Sequence, residues 1–160
     1  MRAMHWRRWT ATAMCTLLLA ACSTGPVRRV SEPSARIQQL TVRADGSWSA
    51  QLRIENFSSI AMRFDALDLA LSIGDNAAGT LAVQPAVSIG PESADVVTVP
   101  INPQAAAKLT VADALAGGRS ISYTLNGTLD ATPYEGKRRS FEVERTSALS
   151  PAPGLSGVLR

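Results

Sequence analysis

The feature that most constrains this chain is a regular alternation of apolar and polar residues, which occurs twice between Trp48 and Ile73. Residues 48–55 read WSAQLRIE, and residues 67–73 read LDLALSI. Successive side chains of a β-strand point to opposite faces, so each run predicts a strand with one apolar face and one polar face. Because the two runs follow each other in sequence, they predict antiparallel strands of a half-buried sheet.

Shorter apolar stretches separated by turn residues extend this pattern through most of the chain. A first strand is predicted at residues 35–43, and Asp45-Gly46 predicts the turn that follows it. A second turn is predicted at residues 74–79, directly after the second alternating run. Further strands are predicted at residues 80–83, between Pro85 and Pro91, and at residues 94–101, 120–130 and 140–144, with a turn at residues 133–136.

One segment departs from the strand pattern. Asn102 is a good helix N-cap, Pro103 is tolerated at the first helical position, and residues 104–116 are rich in alanine. Gly117-Gly118 predicts the end of this helix. The chain is therefore predicted to be mainly β, an immunoglobulin- or fibronectin-III-like antiparallel sandwich of about seven strands with one short helix.

The N-terminal residues have the pattern of an export signal. Three arginines precede an apolar run at residues 10–21, which is too short to span a bilayer. The run ends with Leu-Ala-Ala and Cys22, which resembles the lipobox of bacterial lipoproteins. This resemblance implies cleavage before Cys22 and acylation of that residue, which makes Cys22 the predicted lipid attachment site. An ordinary signal peptide with an incidental cysteine is the alternative.

Loss of the signal changes the composition of the chain. The full sequence has 16 Lys and Arg against 13 Asp and Glu, and three of the arginines precede Cys22, which leaves 13 of each sign. A near-neutral domain gives no basic patch for nucleic acid. Cys15 and His5 are lost as well, so Cys22 has no disulfide partner and no histidine remains. Ser-His and Cys-His mechanisms are thereby excluded.

Four segments are predicted along the chain. Residues 1–21 are the signal peptide, and residues 22–34 are a lipidated N-terminus and flexible tether. Residues 35–146 form the sandwich domain, and residues 147–160 are a loose tail, because Pro, Gly and Ser dominate there. Ser23 stands where lipoproteins retained at the inner membrane commonly carry aspartate. The lipoprotein resemblance therefore implies the outer membrane, with the domain facing the periplasm.

The order of the features also resembles the late-embryogenesis-abundant group 2 family, called the water stress and hypersensitive response (WHy) domain, over residues 37–143. The resemblance rests on residues 52–56 (LRIEN), 67–73 (LDLALSI), 97–101 (VTVPI) and 123–127 (YTLNG). It implies two antiparallel sheets with a helix and a role in stress protection, and it brings no catalytic residues. Family members usually carry Asn-Pro where this chain has Asn56-Phe57.

Several polar groups have a functional interpretation beside a structural one, and the structural one is favoured for each. A Ser-Lys arrangement would use Lys108 or Lys137. Asp75-Asn76 falls short of a calcium loop and favours a turn. No catalytic residue, metal ligand or cofactor is predicted. The carboxylate pairs are Asp65 with Asp68 and Glu142 with Glu144, the latter beside Arg145 and interpreted as a solvated sheet surface.

The cluster Lys137-Arg138-Arg139 and the side chain of Trp48 have two interpretations each. The cluster would contact acidic lipid head groups or, as favoured, keep a hairpin soluble. Trp48 would be a ligand platform or, as favoured from its alternation, a core residue. The predicted function is that of a non-enzymatic, membrane-anchored envelope lipoprotein that binds or shields other molecules under stress. A scaffold lipoprotein that docks a specific envelope protein is the alternative.

Overall fold

The computed structural model describes residues 28–160. The predicted signal peptide, Cys22 and the first part of the predicted tether lie outside the described residues. The described part contains nine strands and one helix. In chain order they are β1 (Ser34–Val42), β2 (Trp48–Asn56), β3 (Met62–Ile73), β4 (Asn76–Val83), β5 (Val87–Ile89), β6 (Ser93–Ile101), α1 (Ala105–Gly117), β7 (Ile121–Pro133), β8 (Arg139–Leu149) and β9 (Val158–Leu159).

The strands form two antiparallel sheets that pack face to face around one apolar core. The first sheet has the order β6-β2-β1-β9, and the second has the order β4-β3-β7-β8, with the short β5 also paired to β3. The core consists of the inward-facing side chains of both sheets, together with one face of α1. The predicted antiparallel sandwich with one short helix is confirmed, with nine strands in place of about seven.

The two alternating runs that dominate the sequence do not pair with each other. β2 pairs with β1 and β6, whereas β3 pairs with β4, β5 and β7. The prediction that both runs belong to one sheet is therefore wrong. Alternation determines which side chains are buried but not which strand is the neighbour. Leu52 of β2 and Leu69 of β3, both fully buried, contribute to the same core from opposite sheets.

β3 begins at Met62, five residues before the alternation that predicted it, because a bulge interrupts the pattern. The pairing with β7 shifts between Phe64 and Ala66, which leaves Asp65 as the extra residue. Met62 and Phe64 therefore face the core in one phase, and Leu67 and the following alternate residues face it in the other. Residues 62–66 are therefore the first part of the strand, although they precede the alternating run.

β7 is one long strand that includes Asn126-Gly127, as the unbroken alternation predicts, and the turn follows Pro133. A Cβ atom on Gly127 would lie 2.0 Å from the carbonyl oxygen of Asp68 on the neighbouring β3. Glycine is required there because the two backbones approach too closely for any side chain.

α1 closes the end of the sandwich where β6 ends, and it packs on β4 and β3. Ala107, Val111 and Ala114 form its buried stripe. The N-cap is Gln104 and not the predicted Asn102, and it makes no side-chain cap bond; its amide donates to the carbonyl of Ala78 at 3.0 Å. Gly118 ends the helix in the left-handed conformation, as predicted.

Two segments predicted to be irregular are part of the sheets. The predicted turn at residues 74–79 is a two-residue hairpin, after which β4 begins at Asn76. The predicted loose tail beyond residue 147 contains the end of β8 and all of β9, which pairs with β1. Leu159 of β9 is fully buried, so the turn residues between β8 and β9 return the chain to the core.

The two faces of β3 give a direct test of this architecture. Leu69 is fully buried and its neighbour Asp68 is exposed. Leu69→Ala should lower the free energy of unfolding by about 2–5 kcal/mol, because it leaves a cavity between the sheets. Asp68→Ala is the matched control and should change it by less than about 0.5 kcal/mol. Chemical denaturation measures both values, and equal effects would contradict the assignment of the two faces.

Candidate functional site

The side chain of Asn56, at the end of β2, is the most extensively hydrogen-bonded polar group described in the core. It is only 1% exposed. Its amide nitrogen Nδ2 lies 2.9 Å from the carbonyl of Ile60, 3.1 Å from that of Ile89 and 2.8 Å from that of Gly90. Its oxygen Oδ1 accepts from the amide of Ser58 at 3.0 Å. One amide thus satisfies backbone groups of two loops.

Ser58 extends this network to the segment before β1. Its hydroxyl, fully buried, accepts from the amide of Ser31 at 3.0 Å and contacts the sulfur of Met62 at 3.0 Å. Next to it, the amide of Ser59 donates to the carbonyl of Arg29 at 3.0 Å. The segment from Arg29 to β1 is therefore held against the crossover from β2 to β3, which comprises residues 57–61. This segment falls within the predicted tether.

The same end of the sandwich gathers two further loops. The amide of Glu92, between β5 and β6, donates to the carbonyl of Ser58 at 3.1 Å. The amide of Tyr134, between β7 and β8, donates to the carbonyl of Ala61 at 2.9 Å. We call this end the exit end; it comprises Arg28, Arg29 and the loops at residues 57–61, 90–92 and 134–138. It lies opposite α1, because β2, β6 and β7 each connect the two ends.

An open groove of about 610 Å³ lies at the side of the exit end. Its lining residues come from the pre-β1 segment, β2, the crossover and the start of β6: Arg29, Arg53, Glu55, Asn56, Phe57, Glu92, Ser93 and Ala94. Its charges are paired, with 2.9 Å between Arg53 and Glu55 and 3.9 Å between Arg29 and Glu92. The hydrogen bond from Arg53 lowers the pKa of Glu55 against the opposing effect of burial, and Ser34 adds to the lowering.

Lys137, Arg138 and Arg139 lie at the exit end, where the chain turns from β7 into β8. Arg138 donates to Asp130 at 2.6 Å. Hydrogen bonding from Ser140, and then from Arg138, lowers the pKa of Asp130. No ion pair joins Lys137 or Arg139 to an acidic side chain within residues 28–160. All three side chains are exposed, and Arg138 is the one that forms an ion pair within residues 28–160.

The other residues considered from the sequence do not converge on one site. Lys108 lies on α1, near the β1–β2 turn, where a Cβ on Gly46 would be 3.6 Å from its Nζ atom. Lys137 lies at the exit end, on the far side of the molecule. Glu142 and Glu144 are exposed on the outer face of β8, opposite Thr128 and Asn126, as predicted for a solvated surface.

The remaining carboxylates and Trp48 have structural surroundings. Asp65 accepts from the hydroxyl of Thr132 at 2.6 Å and pairs with Arg63 at 3.4 Å. Asn76 donates to the hydroxyl of Thr110 on α1 at 3.1 Å, which ties the β3–β4 hairpin to the helix. Trp48 is 1% exposed, so the core interpretation is confirmed. Within residues 28–160, no three His, Cys, Asp or Glu side chains are placed to hold a metal ion.

A sequence model described as late embryogenesis abundant protein matches residues 51–145, more than half of the chain. The matched region begins within β2 and ends within β8, so it includes Asn56 and most of the second sheet, whereas β1 and β9 of the first sheet lie outside it. The chain belongs to the late embryogenesis abundant (LEA) protein family. None of the curated proteins matches this LEA chain.

Solved structures similar to this LEA chain include one described as a late embryogenesis abundant (LEA) protein, At2g46140.1. It has a TM-score of 0.48 and 16% identity, with 91% of this chain and 88% of that chain covered. AT1g01470 from Arabidopsis thaliana has a TM-score of 0.46 and 12% identity, covering 79% and 83%. A protein from Archaeoglobus fulgidus has a TM-score of 0.40 and 12% identity, covering 78% and 98%. The family assignment depends on the sequence match alone.

The role of Asn56 was missed at the level of sequence, although the alternation carries a signal for it. Positions 48, 50, 52 and 54 of this LEA chain are apolar and inward-facing, so position 56 is the next inward position and asparagine occupies it. A polar residue at a core position of a strand requires buried partners. The identity of those partners was not predictable, since they lie in the crossover and in the distant β5–β6 loop.

Removal of the Asn56 amide should destabilise the LEA domain strongly. Asn56→Ala leaves several buried backbone groups without a partner, and each such group costs about 1–3 kcal/mol. We expect the free energy of unfolding to fall by at least ~2 kcal/mol in chemical denaturation. Asn126→Ala, on the exposed face of β7, is the matched control and should have little effect. A similar loss in both variants would contradict the role of the network.

Proposed function

We propose that this LEA-family chain is a non-enzymatic lipoprotein of the bacterial cell envelope, anchored through acyl chains on Cys22. The observation that carries the proposal is the short distance along the chain between the lipobox cysteine and the folded LEA domain. Only residues 23–28 separate Cys22 from Arg29, whose backbone is hydrogen-bonded to the crossover. A domain joined so closely to such a cysteine has the organisation expected of a membrane-anchored protein.

The anchor determines the location that we propose. Several acyl chains hold a protein firmly at a bilayer, since each buried methylene contributes about 0.8 kcal/mol. Ser23 follows the cysteine in place of the aspartate associated with inner-membrane retention, which supports the outer membrane. The domain then faces the periplasm. The described residues contain no helix long and apolar enough to cross a membrane.

The activity that we propose is binding or shielding of other molecules, in the manner of a WHy domain during water stress. Family membership supports this proposal, and so does the scatter of the candidate catalytic groups over both ends and an outer face. After cleavage before Cys22 the sequence has no histidine, which excludes the commonest general base. The exposed surface offers paired charges and small polar side chains, which suit reversible contacts.

The anchor is tested by Cys22→Ala. This variant should lose metabolic labelling with a fatty acid and should leave the membrane fraction or accumulate unprocessed, because the acylated residue is gone. Cys15→Ala, within the predicted signal, is the matched control and should retain both labelling and membrane fractionation. Labelling that persists in Cys22→Ala would refute the lipobox assignment.

The proposed activity is tested with residues 22–160 carrying Cys22→Ala. We expect this protein to keep a partner enzyme active through drying and rehydration, without hydrolysing ester, peptide or phosphate substrates. Lys108→Ala, Lys137→Ala and the double variant Glu142→Ala/Glu144→Ala should protect as well as the parent, because none of these groups performs chemistry.

Two outcomes would contradict this activity. Turnover of a substrate that disappears in one of those variants would make the chain an enzyme. Failure to protect, together with recovery of one envelope protein at a fixed ratio after crosslinking in membranes, would make it a scaffold.

A further inference from the structure

The exit end differs from the rest of the surface in its exposed aromatic side chains. Phe57, in the crossover, is 48% exposed, and Tyr134, in the β7–β8 loop, is 66% exposed. They are the only aromatic residues among the large hydrophobic side chains exposed within residues 28–160. The backbone beside each of them is hydrogen-bonded at the β2–β3 crossover. The amide of Ser58, which follows Phe57, donates to the side chain of Asn56, and the amide of Tyr134 donates to the carbonyl of Ala61.

Cationic side chains lie at the same end of the sandwich as these two aromatic residues. The loops and the pre-β1 segment of the exit end, with the first residue of β8, contribute five cations: Arg28, Arg29, Lys137, Arg138 and Arg139. Their acidic partners number three, Glu92 and Glu135 on the same loops and Asp130 on β7. Glu32 of the pre-β1 segment adds a fourth carboxylate, so five cations face four carboxylates and the balance is positive by one charge.

The described part of the chain begins at the exit end. Arg28 is the first described residue, and it pairs with Glu135 of the β7–β8 loop. Cys22 lies six residues earlier, and six residues span at most about 20 Å. An anchor at Cys22 therefore keeps the exit end within about 20 Å of the bilayer surface, a limit that does not apply to the opposite end of the sandwich. α1 and the β8–β9 segment lie at the opposite end.

We propose that the exit end lies on the lipid bilayer, with Phe57 and Tyr134 in the head-group region and its cations on anionic phospholipid. The proposal rests on the proposed anchor at Cys22. Aromatic side chains favour the interface between water and hydrocarbon, and basic side chains beside them are attracted to anionic head groups. The domain then stands upright on the membrane, with α1 facing away from it.

The docked segment at residues 29–31 makes this orientation specific. A freely jointed tether would let any face of the domain approach the lipid. The hydrogen bonds of Arg29 and Ser31 with the crossover fix the path of the chain from Arg29 onward at this end of the domain. Contact at the exit end thus needs no rearrangement of the fold.

The experiment places a tryptophan reporter at each end of the full-length protein. Tyr134→Trp reports on the exit end, and Leu109→Trp, at an α1 position that is 72% exposed, is the matched control for the opposite end. Each protein is isolated from membranes and reconstituted in vesicles of phosphatidylethanolamine and phosphatidylglycerol that contain brominated lipid. The parent, whose Trp48 is buried in the core, gives the baseline fluorescence.

We expect brominated lipid to quench Tyr134→Trp several-fold more than Leu109→Trp. Adding Lys137→Glu/Arg139→Glu to the Tyr134→Trp protein should reduce the quenching in these vesicles and not in vesicles of phosphatidylcholine. The control Arg43→Glu/Lys108→Glu reverses two charges near α1 and should leave it unchanged. Equal quenching of the two reporters, or none in either, would overturn the proposed orientation.

Fatty-acid labelling of the same proteins separates this proposal from the anchor. Labelled protein without quenching at Tyr134→Trp leaves the anchor intact and refutes the contact. If the protein is unlabelled, the anchor fails, and the same reporters are added to vesicles from solution. Quenching confined to Tyr134→Trp on anionic vesicles would then support the lipid-binding end on its own, and its absence would overturn it.

Discussion

The mutual burial of two apolar sheet faces is the constraint on which the rest of this molecule depends. Side chains alternate along a strand, so a shift of one residue in any strand would expose its whole apolar set. The chain keeps its faces in phase by placing bulges where the alternation changes, at Asp65 of β3 and at Gln38 of β1. Beside the second bulge, the amide of Ile37 donates across the core to the hydroxyl of Tyr123 at 3.2 Å, which joins the two sheets directly.

The crossover from β2 to β3 follows from the same constraint. A chain that leaves one sheet and enters the other has backbone groups that neither sheet can pair, and unpaired buried groups are costly. The side chain of Asn56 supplies a substitute partner, and Ser58 does the same for the segment before β1. Because one network holds the crossover, the β5–β6 loop and the incoming chain, these parts form one rigid surface. The position of residues 29–31 on the domain is therefore a consequence of core packing.

Much of the fold could be predicted from the sequence, because burial leaves a local pattern. The phase of β2, the unbroken length of β7 and the position of α1 were all visible as alternation, alanine content and glycine spacing. Strand partners were not, since the alternation of β2 would suit a neighbour in either sheet. The start of β3 was concealed by its bulge, and β9 by turn residues that suggested a loose tail. The site was the least predictable part, because the loops that carry Phe57, Glu92 and Tyr134 are far apart in sequence and are joined in the fold by backbone hydrogen bonds.

The open edges of the sheets limit how this domain can associate with other proteins. β6 and β8 are edge strands, and each carries a charged residue on its inward-facing side: Asp95 lies opposite Ile54, and Arg145 lies opposite Leu125. Both side chains are exposed beside the core. An added strand would cover these side chains and bury a charge without a partner. Natural sheets use such inward-pointing charges on edge strands to prevent edge-to-edge pairing. Strand addition at β6 and β8 is therefore disfavoured, and within residues 28–160 the exit end is the end that combines exposed aromatic side chains with cations that form no ion pair.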